Sequence, residues 1–143
     1  MIVTFCGHRE ISLDTQKRLT PVLYSEIENL IKSGADTFLL GGYGDFDRLC
    51  AEVVKTLKDK YPHIISTLVI PYIDRDYDHD LYDNSEYPPI EKTPKKFAIS
   101  ARNKYMVEKS DVVISYVVLT WGGAYETLSY AKRKKKNIIK MEL

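Results

Sequence analysis

The sequence lacks the features that mark several common protein classes. Its 143 residues hold only two cysteines, Cys6 and Cys50. They form no CxxC pair, so neither a zinc site nor a redox couple is encoded, and both are expected as small core residues. There is no excess of one charge either: 21 Lys and Arg against 20 Asp and Glu leave a net charge of +1. That balance supplies no global field for nucleic acid, and any anion site must be local. No apolar run approaches the roughly 20 residues a membrane helix needs. The opening "MIVTFCG" enters its apolar stretch without a basic flank, so a cytoplasmic, reducing environment is expected. His8, His63 and His79 have no companions at metal-ligand spacing, and neither a metal nor another cofactor is expected. Internal repeats and low-complexity tracts are absent.

What remains is an ordinary globular composition, 44% hydrophobic and 29% charged, suited to one domain over residues 1–143 with a single core. Hydrophobic periodicity predicts strands over 2–6, 37–40, 64–70, 112–118 and 138–141. Helices are expected between them. The first, capped by Asp14 or Thr15, carries Pro21 near its start and runs to Gly34; the others cover 45–60, 97–109 and 125–135. Alternating strands and helices imply an α/β fold, a single Rossmann-like three-layer domain with a mainly parallel five-stranded sheet. Between the third strand and the third helix lies "YIDRDYDHDLYDNSEYPPIEKTP", too polar for core and longer than most connections. Its tyrosines offer faces for a base, so residues 72–87 read either as a lid over a ligand or as a solvated connector.

In doubly wound sheets ligands bind beyond the carboxyl ends of the strands, near the point where strand order reverses. Three turns at such ends carry glycine: "CGHRE", "GGYGD" and "WGGAY". The last is the expected phosphate site, with Gly122, Gly123 and Ala124 letting backbone approach and the helix start at Tyr125 directing N–H groups outward. Thr127 adds a hydroxyl donor and Arg102 a guanidinium that matches phosphate oxygens. A plain strand-to-helix turn and a surface arginine account for the same residues.

The middle turn, Gly41, Gly42, Tyr43 and Gly44, is followed by two acids that repel phosphate. Asp45 is expected to cap the second helix, occupying its anion site. Asp47 is placed to accept sugar hydroxyls, although both acids also complement the helix dipole. Gly7, His8 and Arg9 close the first strand on the same edge. The run 132–136, "KRKKK", reads as the solvated end of the last helix or as a nucleic-acid contact.

With "FCGHRE", "GGYGDFD", "RNKYM" and "WGGAYET" in this order, the chain resembles the SLOG superfamily, named for the Smf/DprA and Lonely Guy proteins, and within it the bacterial and phage DUF1273 or YpsA-like family. The resemblance covers essentially the whole chain. It implies a Rossmann-like fold that binds nucleotides or nucleotide-derived ligands such as ADP-ribose derivatives, and a homodimer. Lonely Guy enzymes are phosphoribohydrolases with motifs of the form RxxxM and PGGxGTxxE. Arg102 and Met106 fit the first. In the second, Trp121 replaces proline, Tyr125 replaces glycine and Glu126 replaces threonine, while Ser129 stands at the catalytic glutamate's position. The resemblance therefore implies a binding or sensing module, or alternatively a nucleoside 5′-monophosphate hydrolase using Arg102 with Glu126 or Asp47. Single-stranded DNA binding, as in the Smf/DprA branch, has only the lysine run behind it, and nucleic acid is not the expected partner.

Overall fold

The computed structural model describes residues 1–74 and 76–143. In chain order the elements are β1 (Ile2–Gly7), α1 (Leu13–Lys32), β2 (Thr37–Leu40), α2 (Asp45–Lys60), β3 (Ile65–Val69) and β4 (Asn84–Glu86). A short 3-10 turn at Lys95–Phe97 then leads to α3 (Ala98–Lys109), β5 (Val112–Tyr116), α4 (Gly123–Arg133) and β6 (Asn137–Lys140). The strands form one sheet in the order β4-β3-β2-β1-β5-β6. All five pairings are parallel. The chain winds outward from β1 to one edge, then crosses back to β5, so the order reverses between β1 and β5.

Strand alternation divides the core. Val3, Phe5, Phe38, Leu40, Val112 and Ile114 face α1 and α2. There α1 supplies Leu19, Leu23, Ile27 and Ile31, one residue per turn, each essentially without solvent exposure. Burial of such side chains is worth about 1.5–3 kcal/mol each, which makes this layer the main source of stability. The opposite face is covered more thinly. Cys6 and Val113 meet Val107, Leu128 and Ala131, and Leu39 and Val69 meet Met106.

Several expectations are corrected. The sheet has six strands rather than five, because the polar segment after β3 returns to pair with it, Thr67 opposite Asn84 and Val69 opposite Glu86. The Asp83 carboxylate anchors this edge by accepting the Ser66 N–H at 2.8 Å and pairing with Lys58. Tyr82, from the same segment, is buried in the main core. The cap of α1 is Ser12, whose hydroxyl accepts the Thr15 N–H at 3.2 Å, rather than Asp14 or Thr15. Pro21 consequently sits in the helix interior, on its exposed side. Most consequential for function, α4 begins at Gly123, two residues before the expected start.

Candidate functional site: a cleft at the carboxyl ends of β1 and β5

A cavity of about 640 Å³ opens where the strand order reverses, and it gathers most of the expected residues. Gly7, His8 and Arg9 enter from the end of β1, Tyr43 and Asp47 from the turn into α2, and Arg102 from α3. Gly122, Gly123, Ala124 and Thr127 form the side made by α4. Gly41, Gly42, Gly44, Tyr125 and Glu126 are not among its lining residues, and neither is any described residue of 72–87. Arg75, which fell within the expected lid, lies outside the described residues.

Two helices point their N-termini toward this edge from the same backbone geometry. Gly44 before α2 has φ 101° and ψ 177°, and Gly122 before α4 has φ 94° and ψ 177°. This left-handed region favours glycine. The two ends differ in what their N–H groups meet. At α2 the Asp45 N–H donates to the Arg9 carbonyl at 2.8 Å and the Phe46 N–H to the His8 carbonyl at 3.3 Å, so the turn after β1 stops this helix end. The expected Asp45 cap is corrected accordingly. Its carboxylate turns away from its own helix N–H groups to accept the Ile11 N–H at 2.8 Å and to pair with Arg48 at 3.3 Å. At α4 the first intrahelical bond is Glu126 N–H to the Gly122 carbonyl, and the N–H groups of Gly123, Ala124 and Tyr125 have no acceptor among the described residues. Gly123 lacks both a positive φ and any atom within 4 Å of where a Cβ would stand. Nothing in the protein's own packing requires glycine there.

Asp47 and Arg102 flank Gly41. A Cβ on Gly41 would stand 2.9 Å from Asp47 Oδ2 and 3.1 Å from the Arg102 guanidinium carbon. The Tyr43 N–H donates to Asp47 Oδ2 at 3.3 Å. Burial raises the Asp47 carboxyl to about 6, against the opposing pull of the Arg102 charge and of the Tyr43 and Gly41 N–H groups. Arg102 is 2% exposed. Its Nη1 donates to the carbonyls of Gly41 at 2.7 Å and Val69 at 2.9 Å, and its Nε to Asn103 Oδ1 at 2.9 Å. Much of its donor set thus ties together the ends of β2 and β3. Burial lowers its pKa while the Asp47 charge opposes that shift.

The remaining groups have defined states. Val118 N–H donates to His8 Nε2 at 2.8 Å, and the His8 ring meets the Tyr116 ring edge-on. The imidazole is therefore neutral with its proton on Nδ1, and burial lowers its pKa. The Arg9 guanidinium lies 4.3 Å from the Tyr43 ring centre, a cation–π contact. Thr127 is not a free donor, since its hydroxyl donates to the Gly123 carbonyl at 2.9 Å. The Cys6 thiol reaches the Ala124 carbonyl, and burial, then the Asp47 charge, raise it to about 12, so it supplies no thiolate. Among the described residues no cluster of three His, Cys, Asp or Glu is arranged to hold a metal.

Sequence reasoning missed two contributors. Trp121, in motif terms only a replacement for proline, stands 70% exposed on the rim of the cleft. A lone tryptophan beside two glycines at a strand end is the signal that was available. Asn103, which carries no role in the "RNKYM" motif, both lines the cleft and orients Arg102.

Known proteins resemble this chain in sequence and in fold. Residues 4–137 match the model of a family described as the YspA SLOG family. The chain is 26% identical to an uncharacterized SPbeta prophage-derived protein, YoqJ, of Bacillus subtilis, over 83% of each chain. It is 27% identical to the UPF0398 protein BH1768 of Halalkalibacterium halodurans, over 78% of this chain and 66% of that one. Among solved structures, DNA processing protein A of Helicobacter pylori, described with a single-stranded DNA binding mode, superposes with a TM-score of 0.70 at 22% identity. That match covers 100% of this chain and 66% of the other, and at this identity it establishes the fold. No helix among the described residues is long and apolar enough to cross a membrane.

Proposed function

The chain belongs to the YspA SLOG family, and on that premise we propose that its cleft binds or senses a nucleotide-derived small molecule, a nucleoside phosphate or an ADP-ribose-like compound. The observation that carries this reading is the contrast between the two glycine-led helix ends. Carbonyls of His8 and Arg9 stop α2, while α4 presents unpaired N–H groups to the cleft. An anion completes the α4 end, where the helix dipole favours it. The phosphate therefore sits on Gly122, Gly123 and Ala124. Asp47, ionised at neutral pH, takes sugar hydroxyls, and the exposed Trp121 ring stacks on the base. Arg102 adds positive potential from behind. A volume of about 640 Å³ lies within the usual range for small-ligand pockets.

Binding without turnover is favoured because Ser129 replaces the glutamate of the hydrolases and Glu126 lies outside the lining, whose carboxylates are Glu10 and Asp47. A phosphoribohydrolase acting on a nucleoside 5′-monophosphate is the second reading, supported by the partly buried Asp47, whose carboxylate would stabilise an oxocarbenium-like sugar. A small molecule rather than nucleic acid is the proposed ligand, because the lysine run lies at the far end of α4 from the cleft. The homodimer implied by the family resemblance is retained as part of this proposal, with light scattering as its check. Thermal-shift screening against nucleotides and ADP-ribose derivatives, with mass spectrometry of the products, tests the whole. A stabilising ligand recovered intact supports the sensor, release of free base establishes the hydrolase, and binding of single-stranded DNA alone overturns both.

A further inference from the structure

A second cavity, about 630 Å³, shares Val118 and Leu119 with the first. Its cations come from three separate elements: Arg18 from α1, Lys132 from α4 and Lys140 from β6. None of these side chains has an ion-pair or hydrogen-bond partner among the described residues. One acid, Glu142, is also in the lining, so the cations outnumber the anions among these side chains. Two buried apolar side chains, Leu128 and Met141, line the cavity beside the hydroxyls of Thr15, Ser115 and Thr120. Like charges from distant parts of the chain, gathered around one hollow with a single acidic side chain among them, repel one another and leave a local positive potential. An anion with an apolar body meets both demands of this lining.

We propose that this cavity is a second binding site, for a small phosphorylated molecule with an apolar or aromatic body, and that its occupancy is felt in the first cleft through their common wall. The wall is a short exposed segment. Val118 is 67% exposed, and its N–H is held by His8, itself a residue of the first cleft. The first two turns of α4 also stand between the cavities, with Ala124 and Thr127 on one and Tyr125 and Leu128 on the other. A ligand packed against Val118 and Leu119 from the second side changes how the wall stands against the first. The existence of the site is independent of the proposed function, whereas its regulatory meaning rests on that reading.

The test is an amide NMR titration with phenyl phosphate, the simplest phosphorylated aromatic, on the wild-type chain and on the R18E/K132E variant. Two saturating sets of shifts are expected: one at residues 122–124, and one at Arg18, Thr120 and Lys140 that also moves Val118. The double variant retains the first set and weakens the second by at least about tenfold, as loss of charge-assisted contacts requires. A second set that is absent, does not saturate or is unchanged in the variant overturns the site. A second set without movement of Val118 overturns the coupling. Failure of the first set alone counts against the α4 phosphate assignment and leaves the second site standing.

Discussion

His8 Nε2 accepts the Val118 N–H at 2.8 Å across 110 residues of sequence, joining the end of β1 to the segment that follows β5. The bond needs a lone pair on Nε2, hence a neutral imidazole. Protonation removes it. Because the folded pKa of His8 lies below its ordinary value of 6.5, the unfolded chain binds the proton more readily. The contribution of His8 to stability is therefore complete above about 6.5 and is lost as pH falls below it. Hydrogen exchange at Val118, corrected for its intrinsic pH dependence, should quicken across that fall, and His8→Ala should quicken it at neutral pH by roughly 2- to 10-fold, the value of one hydrogen bond. A protection factor independent of both would show that the wall is held by something else.

Asp47 titrates in the opposite sense. Its carboxyl is raised from 3.8 to about 6, so the folded state binds the proton more readily, and the stability gained from the protonated form is lost as pH rises through 6. Asp47→Asn should therefore gain stability relative to the wild type as pH rises from 4 to 7, measured by urea unfolding. A difference that is flat with pH would mean that the carboxylate is better solvated than its surroundings imply. In the same variant, weakened binding of the intact ligand supports Asp47 as the acceptor of sugar hydroxyls, whereas loss of base release with binding retained establishes Asp47 in the hydrolase.

The two glycine-led turns predict opposite outcomes for one kind of substitution. Gly44→Ala places a Cβ 2.6 Å from the Arg9 Cα in a backbone conformation at φ 101°, so it should destabilise the fold by several kcal/mol or prevent folding. Gly123→Ala places its Cβ in open space at the start of a helix. It should leave stability unchanged or raise it by up to about 1 kcal/mol. The same change should abolish binding of phosphorylated ligands, read by calorimetry on a folded protein. Undiminished affinity in Gly123→Ala would remove phosphate from this turn.

Arg102→Ala should cost about 2–4 kcal/mol in urea unfolding, because it strands the carbonyls of Gly41 and Val69 and leaves Asp47 without its nearest cation. Arg102→Lys should recover little, since a single ammonium cannot reproduce the fork that holds Nη1 and Nε on separate acceptors. If alanine is tolerated within experimental error, these hydrogen bonds do not hold the ends of β2 and β3.

The main elements were legible because their signals are local. Leu19, Leu23, Ile27 and Ile31 mark the buried stripe of α1, and the glycines at 41–44 and 122–123 mark turns whatever else surrounds them. What escaped the sequence depends on distant partners. The strand "NSE" at 84–86 has no apolar alternation, and only its pairing with β3 makes it a strand. Asp45 has the composition of a cap, but the carbonyls of His8 and Arg9, more than 30 positions earlier, had taken that place. Arg102 reads as a ligand-binding arginine, and nothing nearby reveals that Gly41 and Val69 claim its donors. Periodicity reports what a residue's neighbours in sequence require, and the cleft is assembled from residues whose neighbours are elsewhere.

The position of β1 at the centre of the sheet also bears on how the molecule comes into being. Val3 has Phe38 on one side and Val112 on the other. During synthesis the first neighbour follows within some tens of residues, while the second emerges more than a hundred residues after β1 itself. Until then the most interior strand is a bare edge with an open row of amides and carbonyls. Chains halted before β5 should therefore be the ones that recruit strands from other molecules, and seating β5 beside β1, the longest closure in the sheet, should limit the rate at which the whole protein folds.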